Sequence, residues 1–187
     1  MSRTDALRAS VVPVVLGVAL GGLGGWLWWT WWGPPADGKV YDTQAGPTWY
    51  PTPFDPGVTQ DFSGTATYVV VGLGMALLLG VVGGWVCRRQ AVHGLLAVAV
   101  ASAAAAAVMG VIGMAQSPAD PQERADDVEI GTVLPGHLEV SGWTPYLVWP
   151  VGSLLGYLVV MLALPPAPVT GAERRAEHRS AAPAHRD

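Results

Sequence analysis

Four tracts free of Asp, Glu, Lys and Arg, at residues 11–32, 62–87, 91–116 and 141–170, constrain this chain more than any other feature. Each holds the roughly 20 apolar residues that a helix rising about 1.5 Å per residue needs to cross about 30 Å of hydrocarbon. Helices in the core of a water-soluble domain usually keep a polar stripe for solvent, and these tracts have none. With 51% of its 187 residues apolar and 13% charged, the chain is also too apolar for an ordinary soluble domain of its length. A helix satisfies its own backbone hydrogen bonds in lipid and an isolated strand does not. The expected fold is therefore an all-α membrane protein, a bundle of four transmembrane helices with small irregular or β-hairpin extracytoplasmic loops.

Basic residues sort by loop. Arg3 and Arg8 precede the first tract, Arg88 and Arg89 fill the short second connection, and Arg174, Arg175, Arg179 and Arg186 follow the fourth tract; only Lys39 and Arg124 lie in the other two connections. By the positive-inside rule, the side holding eight of the ten basic residues is cytoplasmic. The resulting plan is a cytoplasmic N-terminus at 1–9, helices at 10–32, 66–87, 93–115 and 145–165, outer loops at 33–65 and 116–144, an inner turn at 88–92 and a flexible cytoplasmic tail at 166–187. The first tract is longer than a signal-peptide core and closes on tryptophans rather than a small-residue cleavage site, so it reads as a retained helix. Cys87 is the one cysteine, which excludes an intramolecular disulfide and suits a reducing compartment.

Trp26, Trp28, Trp29, Trp31 and Trp32 crowd the outer end of the first tract, Trp85 marks the inner end of the second, and Trp143 and Trp149 stand at the entrance of the fourth. An indole has an apolar body and one donor, so these residues are expected at the headgroup level, with Arg88 and Arg89 at the opposite interface. Pro13 is expected to kink the first helix modestly, and Pro165 with Pro166 to stop the fourth.

Small residues recur at four-residue spacing: Gly17, Gly21 and Gly25; Gly72, Ala76, Gly80 and Gly84; Ala97, Ala101 and Ala105; Gly152 and Gly156. Residues four apart share one helix face, and in lipid close backbone approach supplies much of the attraction between helices. These rows are expected to close the bundle, with some face left for a neighbour.

The outer loops are rich in Pro, Gly, Asp and Tyr, which is turn chemistry. Short strands are expected at 39–43 and 48–50, a turn and short helical piece at 117–124, and a hairpin pairing 128–134 with 137–140 around Pro135 and Gly136.

Chemistry is sparse. Apart from His93 at the edge of the third tract, the hydrocarbon-depth segments hold no ionisable side chain of the kind that ion-coupled carriers use. A divalent-metal reading would combine His137 with Glu129 and Glu139, and Asp42, Asp55 and Asp61 could add carboxylates, but no recognised metal or nucleophile spacing is present, and a solvated acidic loop is the plainer reading. No phosphate-cradling loop or Cys-x-x-Cys pair occurs. No catalytic residue, metal or cofactor is expected.

Trp32-Gly33-Pro34-Pro35 after the first apolar helix, the Gly38 to Tyr41 segment, the Asp61-Phe62 entrance to the second helix and the Leu147-Val148-Trp149-Pro150 start of the fourth resemble a family of small actinobacterial four-pass membrane proteins of unknown function, the DUF2567-type proteins. The likeness covers most of residues 10–165 and implies an actinobacterial plasma membrane, with no activity to carry over. The expected role is a noncatalytic accessory or scaffold subunit. Its expected partners are membrane lipids and a larger membrane-protein complex, with a homo-oligomer as a further form and no nucleic acid. A lipid-facing transport component or channel, and a membrane enzyme acting on lipid or cell-wall precursors, are the competing readings.

Overall fold

A computed structural model of the protein describes residues 3–53 and 58–164, with side chains for 10–53 and 62–164. Among these residues four long helices form the bundle: α1 (Arg3–Trp32), α2 (Val58–Cys87), α3 (Ala91–Ala115) and α4 (Val148–Ala163). Four stretches are long and apolar enough to cross a membrane: Ser10–Trp32, Phe62–Cys87, Ala91–Ala115 and Thr144–Ala163, the last counting the short turn that precedes α4. The protein is a four-helix membrane-spanning bundle. The expected stop at Pro165 and Pro166, the tail at 166–187, Asp55, and the side chains of Arg3, Arg8 and Asp61 lie outside the described residues.

Helix ends follow from local chemistry. α1 stops at Trp32, where the Gly33 amide donates to the Trp29 carbonyl at 2.9 Å and Pro34 and Pro35 have no N–H to continue the ladder. Pro13 lies buried within α1. α2 starts at Val58 rather than at 66, so the first outer connection is shorter than the sequence suggested. The reason is that a helix leaving the hydrocarbon can continue through polar residues, which hydropathy alone reads as loop. α3 ends at Ala115, and the next residue, Gln116, donates its side-chain amide to the Ile112 carbonyl at 2.9 Å. A 3₁₀ turn at Thr144–Leu147 leads into α4.

α1 packs most extensively on α3, and α2 on α4; α1 also lies against α2, while α3 makes smaller contacts with α2 and α4. The closest partners are thus not consecutive in the chain.

Both long connections emerge at one end of the bundle and build a three-stranded antiparallel sheet in the order β2-β1-β3, from β1 (Asp37–Thr43), β2 (Gly46–Pro51) and β3 (Val133–Pro135). Gly46, at φ +105°, closes the β1–β2 turn in a conformation that side-chain-bearing residues resist. Val40, Ala125 and Leu134 form a small core beneath the sheet, with Trp49 and Val128 against it. The Trp49 indole crosses Gly38, where any Cβ would collide with the ring, and its Nε1 donates to the Leu134 carbonyl at 3.1 Å.

The hairpin expected around Pro135 and Gly136 does not form. β3 pairs with β1 instead, extended by the Gly136 amide donating to the Ala36 carbonyl at 2.8 Å. Residues 136–140 carry no strand ladder and are drawn over the helices: Leu138 is 2% exposed in the bundle core, its amide donating to Ser117 Oγ at 2.7 Å, and the Ser141 amide donates to Thr65 Oγ1 at 3.0 Å. Burying Leu138 removes apolar surface from water, about 1.5–3 kcal/mol for a full side chain, a gain that a solvent-facing hairpin would forgo.

Candidate interaction surfaces

Two seams of small residues hold the helices together. Along the first, a Cβ built at Gly17 would stand 2.7 Å from the Ala101 carbonyl oxygen, one at Gly21 2.6 Å from that of Ala105, and one at Gly25 2.7 Å from that of Met109. Each pair is separated by 84 positions (17 to 101, 21 to 105, 25 to 109), so α1 and α3 run parallel in a fixed register. The second seam repeats the device. Gly72 meets Val148, Ala76 meets Gly152, Gly80 meets Gly156 and Gly84 meets Val160, all 76 positions apart, so α2 and α4 are also parallel. Gly80 is the tightest point, because a Cβ there would overlap the Ser153 carbonyl oxygen. Ala97 is half-buried near the start of α3.

The eight tryptophans expected at the interfaces divide by burial into three groups. Trp26, Trp31, Trp85 and Trp143 are exposed, at 53%, 62%, 59% and 72%. Trp29 and Trp32 are half-buried and stack on each other at 5.7 Å. Trp28 and Trp149, expected at the headgroup level, are fully buried in the bundle core, so neither ring is presented on its outer surface. The cause is helix rotation. Trp28 lies three residues beyond Gly25 and Trp149 three before Gly152, which puts both on the packed faces.

Trp28 belongs to an aromatic cluster that sequence reasoning passed over. Its ring meets Tyr68 edge-on at 5.1 Å, and Tyr68 meets Tyr146 at 5.2 Å. Trp28 Nε1 donates to the Gly64 carbonyl at 2.8 Å, tying α1 to α2, and the Tyr68 hydroxyl donates to the Ala106 carbonyl at 3.1 Å, tying α2 to α3. At the other end the Tyr157 hydroxyl donates to the Ala91 carbonyl at 2.6 Å, with Cys87 buried beside it. Such long hydrogen-bonded links inside an apolar bundle fix helix order as well as proximity. Trp149 lies buried in the same cluster, its indole beside the Tyr68 side chain. The available signal was a tyrosine inside an apolar run, whose hydroxyl must find a partner.

Arg88 and Arg89 are exposed at the end opposite the sheet, and the Arg88 guanidinium lies 5.2 Å from the Trp85 ring centroid. On the sheet side, His137 Nε2 lies 3.3 Å from Glu139 Oε2 and its Nδ1 3.8 Å from Asp120 Oδ1, so its second neighbour is Asp120 and not Glu129. Among the described residues no group of three or more His, Cys, Asp and Glu is placed to hold a metal ion.

A lateral groove of about 650 Å³ opens between α1 and α2, lined by Leu27, Thr30, Trp31, Val70, Val71, Gly74, Met75 and Leu78. The Thr30 hydroxyl within it is spent on the Leu27 carbonyl at 3.0 Å.

The fold and surfaces define the class: a compact helical membrane-spanning bundle, closed by helix–helix packing and an aromatic cluster, with a small open sheet at one end. No family model, curated protein or solved structure matches the chain.

Proposed function

We propose that the protein is a noncatalytic accessory or scaffold subunit of a larger bacterial plasma-membrane complex, with Arg88, Arg89 and both termini cytoplasmic and the sheet outside. The observation that carries this reading is a small-residue row left over after the bundle has closed. Ala101 and Ala105 are used against α1, yet Ala103 and Ala107 on the same helix are exposed and Ala99 is half-buried. Residues four apart on an outward face let a second helix approach closely. The distribution of basic residues supports the orientation.

Mild-detergent extraction from native membranes tests the role. The protein is expected to copurify with a larger assembly, and the double variant Ala103→Leu, Ala107→Leu to keep its thermal stability while losing that association. A wild-type protein that runs alone and monodisperse contradicts the reading. For orientation, a membrane-impermeant thiol reagent on intact cells is expected to label Gln44→Cys but not Arg89→Cys, each in a Cys87→Ala background; the reverse pattern inverts it.

A further inference from the structure

From the groove between α1 and α2 we infer a binding site for one hydrocarbon chain of a bilayer lipid, taken from the leaflet next to the sheet. The site is independent of the subunit role proposed above. The groove lies within the two membrane-crossing stretches, and its walls continue the apolar surface that this fold turns to lipid: Trp31 is 62% exposed, Val70 56% and Leu78 49%. Its floor is Gly74, an exposed glycine at which a Cβ would meet nothing within 4 Å. The gap therefore serves no helix contact within the chain, unlike Gly80 one and a half turns further on.

Shape and chemistry select the occupant. A partner helix with its side chains is about 10–12 Å across and needs small residues to approach closely. Here bulky Leu27, Trp31, Val70 and Leu78 flank a single glycine, leaving a channel suited to something thin and flexible. Only Thr30 and Trp31 among the lining side chains carry a polar group: the Thr30 hydroxyl bonds its own helix, which leaves the single Trp31 N–H, a donor that suits the lipid headgroup level at the mouth of an otherwise apolar groove. At about 650 Å³ the groove falls within the range of sites that hold small ligands, about 300–1,000 Å³. An alkyl chain meets all these conditions and requires no recognition of its headgroup.

The test is photolabelling of the full chain in phosphatidylcholine vesicles that include a lipid with a diazirine in mid-chain, with adducts mapped by mass spectrometry. Adducts at Trp31 and Met75 are expected to exceed those at Leu155 and Leu158 on the exposed face of α4 by several-fold. Gly74→Phe, which fills the groove from a position with open space, is expected to abolish that excess and leave α4 labelling unchanged. Equal labelling of the two regions in the wild-type protein overturns the inference without any variant. So does a groove excess that survives Gly74→Phe in a protein of unchanged thermal stability. Groove labelling below that of α4 in native membranes also overturns it, and indicates a protein occupant instead.

Discussion

Gly21 of α1 rests on the backbone of Ala105 in α3 so closely that a Cβ at position 21 would stand 2.6 Å from the Ala105 carbonyl oxygen. That contact is the middle of three in one register, and a second parallel seam joins α2 to α4. With little hydrophobic force between helices in lipid, stability in such a bundle depends on how nearly two backbones can touch. The glycines make that approach sterically open, and the aromatic hydrogen bonds decide which helices make it.

Gly80→Leu is expected to force α2 and α4 apart at the Ser153 carbonyl and to cost about 1–3 kcal/mol or more, as overpacked cores do. Gly74→Leu, on the same helix but over open space, is expected to stay within about 1 kcal/mol of wild type, the scale of helix-propensity differences. Thermal unfolding in one detergent compares them; equal losses would remove the α2–α4 seam from the account.

Trp28 is fully buried and its Nε1 donates to the Gly64 carbonyl, whereas Trp26 on the same helix is 53% exposed. Trp28→Phe opens a cavity and leaves a buried carbonyl without its donor, a loss of about 1–3 kcal/mol. Trp26→Phe is expected to stay within about 0.5 kcal/mol of wild type. The two melting temperatures in one detergent check this; equal values would remove the Trp28–Gly64 link from the account.

The outer edge of β2 is protected against pairing with another strand. Pro47 and Pro51 have no N–H, and the Trp49 amide between them donates to Gln122 Oε1 at 3.0 Å while Gln122 Nε2 donates to the Pro47 carbonyl at 3.3 Å. Gln122→Ala is expected to leave the bundle intact and to speed hydrogen exchange at the Trp49 amide several-fold, in line with about 0.5–1.5 kcal/mol for one hydrogen bond. An unchanged rate would mean that the edge is held by other means.

How legible this was in the sequence varies by element. The four helices were plain because hydrocarbon leaves an uninterrupted apolar run no other backbone solution, and the glycine rows were plain because four-residue spacing defines a face. Helix pairing was not. Every helix carries small residues, and only the three-dimensional fit of Gly17, Gly21 and Gly25 to Ala101, Ala105 and Met109 sets α1 against α3 rather than its neighbour in the chain. Composition alone reads Trp28 and Trp149 as headgroup anchors, although their spacing from Gly25 and Gly152 places them on buried faces. The second outer loop misled for a different reason. The Pro135–Gly136 turn signal is local, while the β1 edge and the apolar recess for Leu138 are tertiary features that only the assembled bundle provides. The groove floored by Gly74 had no signal of its own, since it exists only between two helices.

The parallel α1–α3 seam is tested most directly by nuclear Overhauser effects on isotope-labelled protein in detergent micelles. Cross-peaks from the Gly17 and Gly21 α-protons to the Ala101 and Ala105 methyl groups are predicted, with none linking Gly17 to Met109, two turns beyond Ala101. Glycine α-protons of α1 that see only α2, or an antiparallel pattern joining Gly17 to the far end of α3, would contradict the register and with it this account of how the bundle closes.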